Sequence, residues 1–378
     1  MDKESVCEVG QNGTDAVDTP PAGRGDKAAK IKKIKKILLI TLCVIIGVIV
    51  LGVIVFAPIV AKGNKVIVPD EQTPVYALEN WTSYLSDGTP ITSMAIPGSH
   101  DSGCYDGMGY LGRTQNLTFA EQLARGVRYF DISVNASGKG AVIYHGPLNG
   151  VAYSDVLEDI AEFMATHPDE FLILDFQHFK NDSEALVFDM LEEYVGAENF
   201  VVNDTHMRDV GFIDSLTLGD VRGKCIVYIG CEETDYDEDE YLFYRGKENE
   251  KYPELSLVSY YERSKNGATA KKFAEEHLPS YVEQFAEEVG QGFFVLQAQM
   301  TDTIGFFGPS YREGRAIGYI NDFVRGLYDS EYLDTVNIIM RDFVTCEKSA
   351  LTLRLNVAKG YVDGGKLAEF EQMLAMYV

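Results

Sequence analysis

An uninterrupted apolar segment, Ile37–Ala61, constrains this 378-residue chain more than any other feature. It contains no charged residue, and a helix of that length, rising about 1.5 Å per residue, can cross the roughly 30 Å hydrocarbon core of a bilayer. A secretory signal peptide is the alternative, but its apolar region is usually about 7–15 residues long. The segment also ends in a poor small-x-small cleavage site. We therefore predict one transmembrane helix over residues 37–61.

The flanks of this segment predict a topology. Six lysines lie within Lys27–Lys36, and short basic flanks remain on the cytoplasmic side of a membrane. Residues 1–36 are predicted to be a disordered cytoplasmic tail that carries this basic flank, and residues 62–72 a linker. Residues 73–378 have the length of one large domain, which would lie outside the cytoplasm. The chain is thus predicted to be a single-pass membrane protein.

The charge balance argues against one class of partner. The chain has 58 Asp and Glu against 33 Lys and Arg, a formal charge of −25. Nucleic-acid binding needs clustered basic residues, so no nucleic-acid partner is predicted. No protein partner can be inferred from the sequence.

Strand-like and helix-like segments alternate along the large domain. Apolar runs rich in β-branched and aromatic residues predict seven strands, at Ile91–Ile96, Val127–Val134, Ala141–Tyr144, Phe171–Phe176, Cys225–Ile229, Phe293–Ala298 and Val336–Phe343. Helical spacing predicts helices at Phe119–Arg125, Tyr153–Thr166, Ser183–Tyr194, Thr269–Val289, Arg315–Tyr328 and Cys346–Val357. This alternation indicates a parallel α/β barrel, with an open doubly wound sheet as the alternative. Nucleotide-binding forms of the open sheet are disfavoured because the sequence has neither Gly-x-Gly-x-x-Gly nor a Walker loop.

Polar side chains follow or end five of these strands. They are His100 and Asp101, Asp131 and Ser133, His145, Asp175 and Gln177, and Asp342. In an α/β barrel the carboxyl ends of the strands carry the catalytic groups. A carboxylate within an apolar strand costs several kcal/mol unless it is paired, so this set of polar sites favours a shared polar centre over chance.

Two histidines with nearby carboxylates suit acid–base chemistry. One neutral imidazole can remove a proton from a nucleophile while a second, protonated imidazole donates one to the leaving group. A zinc site is the alternative, but neither His-Glu-x-x-His nor Cys-x-x-Cys occurs. A serine hydrolase is disfavoured because Gly-x-Ser-x-Gly is absent.

The motifs around these residues resemble one family. They are Asn80-Trp-Thr-Ser-Tyr-Leu, Ile96-Pro-Gly-Ser-His-Asp-Ser, Thr114–Asp131, Tyr144-His-Gly, Leu174-Asp-Phe-Gln-His-Phe179, Leu216-Thr-Leu-Gly-Asp and Val336–Val344. In this order they are similar to the phosphatidylinositol-specific phospholipase C X-domain family, nearest to its bacterial and X-domain-only branches. The similarity extends from about Asn80 to Phe343.

The resemblance implies a distorted TIM-type (β/α) barrel that cleaves the phosphodiester of phosphatidylinositol. His100 would be the general base for the inositol 2-hydroxyl, and His145 the general acid for the departing diacylglycerol oxygen. Asp342 would orient the base, and Asp101 would support the acid. The products would be diacylglycerol and inositol 1,2-cyclic phosphate.

One position departs from the family pattern. Calcium-independent relatives carry Arg two residues after Asp131 and calcium-dependent relatives carry an acid, whereas this chain has Ser133. Developing negative charge on the phosphoryl oxygens must still be neutralised. Three alternatives remain open: Ca²⁺ bound by oxygens of Asp101, Asp131 and Gln177, with Ser133 and Asp175 available nearby; a basic side chain from elsewhere; or weak catalysis. No cofactor is certain, and Ca²⁺ is the one candidate.

The acidic segment Glu232–Glu240 bears on the substrate and the function class. An acidic rim would repel multiply phosphorylated inositides, so we predict a preference for phosphatidylinositol or its glycosylated form. Two other functions remain: an inositol-lipid-binding module that has lost turnover, and a glycerophosphodiesterase-like phosphodiesterase.

Two expectations concern local structure. Cys104 and Cys346 follow the first and last predicted strands, which barrel closure would set side by side, so a disulfide between them is predicted. The Gly-flanked segments Tyr105–Tyr110 and Gly305–Gly308 have large apolar tips that could insert into a lipid surface or pack back on the domain.

Overall fold

The computed structural model describes residues 24–63, 78–137, 140–203, 210–230, 240–245, 249, 255–301 and 307–378. The chain divides into two compact units, Met1–Pro58 and Ile59–Val378. Several predicted features lie outside the described residues: the tail up to residue 23, most of the linker, the acidic segment before Glu240, and Phe306 in the second apolar tip.

Helix α1, Arg24–Gly63, contains the long apolar segment. Within Ala29–Pro58 an 18-residue window reaches a mean hydropathy of 3.3, so the helix could cross a membrane by length and composition, although a signal sequence near the N-terminus has the same properties. The helix begins before the predicted membrane segment and includes the basic flank, since alanine and lysine both favour helix.

Ten strands form one sheet in the second unit: β1 (Ile96–Ser99), β2 (Tyr129–Ser137), β3 (Gly140–His145), β4 (Leu148–Ala152), β5 (Leu172–Lys180), β6 (Cys225–Ile229), β7 (Leu242–Tyr244), β8 (Leu257–Ser259), β9 (Phe293–Gln297) and β10 (Ile338–Arg341). Eight of them are parallel neighbours in the order β7-β6-β5-β2-β1-β10-β9-β8. Among the described strands no ladder joins β7 to β8, so the barrel is nearly closed. The predicted α/β barrel is confirmed.

An antiparallel hairpin extends from this barrel. Strand β2 continues beyond its short pairing with β1 and pairs from Val134 with β3, which in turn pairs with β4. The register of β2 against β5 shifts between Ile132 and Ser133, which is an irregularity typical of a β-bulge. The hairpin ends β3 at His145, at the carboxyl end of the barrel.

Strand β1 starts later than predicted, and this corrects the first strand assignment. Residues before Ile96 form turns, and amide side chains bond to some of their backbone groups in place of a neighbouring strand. Asn337 Nδ2 donates to the carbonyl of Ile91, and Asn356 bonds to both backbone groups of Ala95. The Pro97-Gly98 pair lies within β1 and does not turn the chain.

Helices follow most of the parallel strands. They are α2 (Gly109–Gly112), α3 (Phe119–Ala124), α4 (Tyr153–Thr166), α5 (Glu184–Val195), α6 (Val210–Ser215), α7 (Leu218–Val221), α8 (Arg263–Asn266), α9 (Ala270–Lys272), α10 (Leu278–Glu288), α11 (Pro309–Gly326), α12 (Cys346–Ala358) and α13 (Leu367–Leu374). A π-helical turn, Phe273–His277, interrupts the helix predicted over Thr269–Val289.

Two apolar layers lie on the two faces of the sheet. One contains Tyr129, Ile173 and Tyr228, and the other contains Phe130, Leu174 and residues of α4 and α5. Successive residues of a strand face opposite sides, so this alternation places Tyr129 and Asp131 on the same face of β2. The face carrying Tyr129 leads to the polar residues at the strand ends.

The predicted disulfide is wrong, because Cys104 and Cys346 are both free and buried. The premise about closure holds, since β1 and β10 pair directly. The two cysteines diverge after those strands and enter different apolar layers, Cys104 the layer of Phe130 and Cys346 the layer of Tyr129.

Candidate active site

A cavity of about 240 Å³ lies at the carboxyl ends of the parallel strands. It is lined by six residues predicted from the sequence: His100, Asp101, Asp131, Ser133, His145 and Gln177. Its wall also contains residues that the sequence did not indicate, namely Tyr144, His178, Tyr261, Gln297, Thr301 and Met340. No Lys or Arg occurs among its described lining residues. The cavity is smaller than the roughly 300–1,000 Å³ of pockets for drug-sized ligands, so it suits a headgroup more than a whole lipid.

His100 is held from behind by Asp342. Its Nδ1 lies 2.7 Å from Asp342 Oδ1, and the side chain of Asp342 is 2% exposed against 23% for His100. The backbone N–H of His100 donates to the carbonyl of Arg341, so β1 and β10 together fix this pair. With Nδ1 engaged, Nε2 is the ring atom that approaches the carboxylates in the cavity.

Asp101 connects the two histidines. Its Oδ2 lies 3.5 Å from His100 Nε2 and 3.7 Å from His145 Nε2. The residue has φ of 43°, a left-handed conformation that is uncommon for residues other than glycine, and its N–H donates to Asp131 Oδ2 at 3.1 Å. The backbone therefore turns sharply after β1 and brings its carboxylate back over the cavity.

His145 is oriented by the backbone. Its Nδ1 lies 3.2 Å from the carbonyl oxygen of Gly112. A carbonyl oxygen can only accept, so we assign the proton of the neutral ring to Nδ1. Its side chain is 40% exposed, more than that of His100. A Cβ added at Gly112 would lie 3.4 Å from His145 Nδ1, so the ring packs closely against this backbone. His145 Nε2 remains available for proton transfer.

The carboxylates perturb the titration of this centre. Burial lowers the pKa of His100, but the charges of Asp101 and Asp342, the hydrogen bond from Asp342 and the charge of Asp131 outweigh it and raise the value to about 10. Burial, followed by the charge of Asp101, raises the pKa of Asp131 to about 8. Burial also raises the pKa of Asp342. The cavity therefore retains protons at neutral pH unless a ligand adds positive charge.

Asp175, predicted as a ligand for substrate or cation, is not among the described residues that line the cavity. Tyr129 donates its hydroxyl proton to Asp175 Oδ2 at 2.5 Å, and Arg245 Nε lies 3.1 Å from Oδ1. Both carboxylate oxygens are thus engaged inside the protein. Gln177 Nε2 also donates to Asp175 Oδ2, at 3.2 Å, so this network positions Gln177 at the cavity wall.

Sequence reasoning missed Arg245, which follows the three-residue strand β7. The side chain is buried, and its Nη2 donates to Ser259 Oγ at 3.0 Å. Arg245 is thus a basic side chain near the site, as one of the predicted alternatives requires. It is paired with Asp175, however, and is not among the described residues of the cavity wall. The only signal in the sequence was a single Arg directly after the apolar run Tyr241–Tyr244.

The cavity has a group of residues that could hold a cation. Ligand atoms of His100, Asp101 and Asp131 lie within 4.8 Å of one another. Calcium prefers oxygen, and the two carboxylates fit it, whereas the His100 nitrogen does not. Burial and the charge of Asp101 raise the pKa of Asp131, so a cation bound beside it would favour its ionised form. Gln177 lines the same cavity outside this tight group.

The predicted apolar tips pack back on the domain where they are described. Met108 is buried in the core, while Leu111, three residues later, is 55% exposed. Phe307 stacks on Tyr311 with ring centroids 4.7 Å apart. Both aromatic rings line a larger cavity of about 610 Å³ that contains none of the predicted site residues.

Comparison with known proteins gives the same assignment. Residues 89–229 match the family described as "Phosphatidylinositol-specific phospholipase C, X domain". The match covers 141 of the 378 residues, so it identifies an X domain in this part of the chain. This confirms the predicted family, and the matched residues include His100, Asp101, Asp131 and His145. Asp342 lies beyond the match and reaches the X-domain site through the pairing of β10 with β1.

Relatives of the X domain include bacterial and animal proteins. The chain is 30% identical over 156 residues to a "1-phosphatidylinositol phosphodiesterase" of Listeria monocytogenes, covering 39% of this chain and 48% of that protein. It is 38% identical over 120 residues to human "PI-PLC X domain-containing protein 2", covering 24% of this chain and 39% of that protein. The chain thus spans half or less of the length of these relatives.

Solved structures agree on the fold. The phosphatidylinositol-specific phospholipase C from Listeria monocytogenes superposes with a TM-score of 0.53 at 21% identity, covering 74% of this chain and 98% of that one. A Staphylococcus aureus phosphatidylinositol-specific phospholipase C gives 0.53 at 18% identity, covering 71% and 92%. At these identities the likeness establishes the barrel fold alone.

Proposed function

We propose that this protein is a membrane-anchored phosphatidylinositol phosphodiesterase that cleaves its substrate to diacylglycerol and inositol 1,2-cyclic phosphate. The observation that carries the proposal is the arrangement of His100 and His145 about one oxygen of Asp101. Their Nε2 atoms lie 3.5 Å and 3.7 Å from this oxygen, so the two nitrogens cannot be further apart than the sum of these distances. A phosphodiester bound between them would have one imidazole near its nucleophile and the other near its leaving group.

His100 is the general base in this proposal. Its Nε2 takes the proton of the inositol 2-hydroxyl while that oxygen forms a bond to phosphorus. Asp342 holds Nδ1 at 2.7 Å, which keeps the proton of the neutral ring on Nδ1 and leaves Nε2 as the acceptor. An internal nucleophile needs little further orientation, because it is already attached to the phosphate that it attacks.

His145 is the general acid. Its Nε2 donates a proton to the diacylglycerol oxygen as the bond from that oxygen to phosphorus breaks. Asp101, 3.7 Å from this nitrogen, favours the protonated ring and also faces the base. One carboxylate thus couples the two proton transfers.

Charge on the phosphoryl oxygens needs a partner other than Ser133. Asp101 and Asp131, with Gln177 beside them, would hold Ca²⁺, which would supply positive charge to those oxygens. The same charge would lower the pKa of His100 by offsetting the carboxylates that raise it. His100 could then act as a base at neutral pH.

The substrate is proposed to be phosphatidylinositol or its glycosylated form. Carboxylates and the absence of Lys and Arg among the described lining residues disfavour further phosphates on the inositol ring. Helix α1 would anchor the protein, with its basic flank in the cytoplasm and the X domain outside. Equal turnover of the bisphosphate in mixed micelles would contradict this substrate assignment.

Phosphorus NMR of the products tests the proposal. The full chain, in micelles of phosphatidylinositol with and without Ca²⁺, is expected to release inositol 1,2-cyclic phosphate. His100→Ala and His145→Ala should each abolish its formation, and His167→Ala serves as control because that histidine pairs with Glu79 away from the cavity. A product from His100→Ala at the parent rate would refute the mechanism.

A binding module is the second candidate, favoured by the lack of a Lys or Arg among the described cavity residues. It predicts saturable binding of inositol-phosphate headgroups with no phosphorus-containing product under any metal condition. The same NMR experiment, combined with calorimetric binding of glycerophosphoinositol, separates the two functions.

A further inference from the structure

A cluster of buried charges lies on the side of Asp342 away from His100. It consists of Lys348 in α12, Glu313 in α11 and Arg341 at the end of β10, whose side chains are 1%, 0% and 3% exposed. Burying charged groups costs free energy that their mutual attraction often only offsets, so a buried ion pair is weak evidence for a stabilising role. None of these three residues is among the described residues that line the cavity.

Lys348 bonds to the backbone that carries Asp342. Its Nζ donates to the carbonyl oxygen of Asp342 at 2.6 Å and to that of Phe343 at 2.8 Å. Its third contact is Glu313 Oε1 at 2.5 Å. An ammonium group has three donors, so all of them are used. Glu313 also lies 3.3 Å from Arg341 Nη2, and this arginine bonds to Asn321 Oδ1 at 3.1 Å.

The backbone held by Lys348 has an unfavourable conformation. Phe343 has φ of 47°, which costs an L-residue roughly 1–2 kcal/mol and persists only where surrounding contacts impose it. The N–H of Phe343 donates to the carbonyl of Thr114, and the N–H of Val344 donates to Gln115 Oε1. Lys348 satisfies the carbonyls of the same turn, so the turn is bonded on both sides.

We propose that Lys348 is a positioning residue: its ammonium group, balanced by Glu313, holds the two carbonyls and thereby fixes the Asp342 carboxylate against His100. The proposal rests on the proposed function, because it assigns Lys348 a role in the proton transfer by His100. It differs from a purely structural ion pair, which would contribute to stability and leave the titration of His100 unchanged.

The titration of Lys348 makes the proposal specific. Burial lowers the pKa of Lys348 to about 8. The charges of Glu313 and Asp342 raise this pKa, and the charge of Arg341 lowers it further, but burial has the largest effect. Above that pH the neutral amine keeps only two donors and releases one acceptor, so activity should fall. Lys348 loses its proton at lower pH in the folded state than in the unfolded state. Its contribution to the free energy of unfolding therefore increases as the pH rises from about 8 to the ordinary pKa of lysine. Alkaline loss of activity would therefore not reflect unfolding at this site.

The chain offers a matched control. Lys359 is a second largely buried lysine that bonds to two backbone carbonyls, those of Ser93 at 2.8 Å and Val336 at 2.6 Å, and its pKa is likewise lowered to about 8 by burial. Val336 lies before the start of β10 and Asp342 after its end. Lys359→Met therefore removes the same chemistry at the opposite end of the strand.

The experiment compares the full chain with K348M/E313Q, in which both charges are removed together, and with K359M. Two quantities are measured: kcat and KM on phosphatidylinositol micelles, and the pKa of His100 from its imidazole NMR signals. K348M/E313Q should lower the pKa of His100 by one unit or more and reduce kcat about tenfold or more with KM nearly unchanged. K359M should leave the pKa of His100 and kcat at the parent values. A folded K348M/E313Q with the parent pKa and kcat would overturn the proposal.

Two single variants decide the question if K348M/E313Q does not fold. K348R keeps a permanent positive charge and should move the alkaline limb of kcat to higher pH, whereas E313Q removes the balancing charge and should move it to lower pH. An alkaline limb that stays in place in both variants overturns the proposal. Should the parent lack activity with every metal, the NMR pKa of His100 still tests Lys348, and the failure then belongs to the proposed function.

Discussion

Replacing Asp342 by Asn tests the proposed base most directly. A hydrogen bond between a carboxylate and an imidazolium is worth about 1.5–3 kcal/mol, and His100 Nδ1 and Asp342 Oδ1 are 2.7 Å apart. Since about 1.36 kcal/mol corresponds to one pKa unit, the pKa of His100 should fall by about 1–2 units from its value near 10. Asp101 and Asp131 remain, so the value should stay above that of an ordinary histidine.

The same substitution should slow catalysis. An Asn amide can donate to Nδ1 and so leave the proton of the neutral ring on Nε2, the wrong tautomer for a base. We expect kcat/KM to fall about 10²–10⁴-fold, the usual contribution of general acid–base catalysis. The free energy of unfolding should change little, because burial already disfavours the charged form of Asp342.

The assay combines NMR titration of His100 with hydrolysis of phosphatidylinositol micelles. Asp322→Asn is the matched control, since its carboxylate pairs with Arg325 on the surface at 3.0 Å. Parent values of both the His100 pKa and kcat/KM in Asp342→Asn would refute the reasoning. A change in kcat/KM without a change in the pKa would show that Asp342 acts through the tautomer alone.

Three further predictions concern charge. Asp131→Asn should raise the free energy of unfolding at pH 8 by roughly 1–3 kcal/mol, measured by denaturant titration. The raised pKa of this buried carboxyl makes the stability of the parent fall as the pH rises toward about 8, and Asn removes that loss. Unchanged stability would contradict this. Added Ca²⁺ should move the acidic limb of kcat/KM to lower pH and EDTA should reverse it; indifference to both would exclude Ca²⁺. Arg245→Met should destabilise the fold by about 3–5 kcal/mol, because it leaves the buried charge of Asp175 without its partner. The double variant Arg245→Met, Asp175→Asn should lose much less stability. Equal losses in the two variants would refute the buried ion pair.

Much of the fold could be predicted because β-rich runs and helical spacing follow directly from burial. The helix Tyr153–Thr166 has its predicted limits, and the strands around Asp131 and Asp175 were located within a few residues. The first strand was placed too early because Asn337 and Asn356 take the place of a strand neighbour before Ile96, and contacts so distant in sequence leave no local pattern.

The site was predicted in part for the same reason. Polar residues in apolar strands stand out, so six of the cavity residues were found from the sequence. Asp175 has the same local appearance, but its role depends on Arg245, which lies 70 positions later after a very short strand. Lys348 escaped notice because a lysine near the start of a helix has nothing unusual in its sequence context.

Within the described part of the sheet no ladder joins β7 to β8, which gives the barrel a seam between these two strands. A chain cut there would give one fragment carrying β1 to β7 and another carrying β8 to β10, joined, among the described strands, by the pairing of β1 with β10. His100 and His145 would belong to the first fragment and Asp342 to the second. Hydrolysis of phosphatidylinositol would then report whether the two fragments had reassembled, and the seam offers a natural place to divide this protein into a complementation reporter.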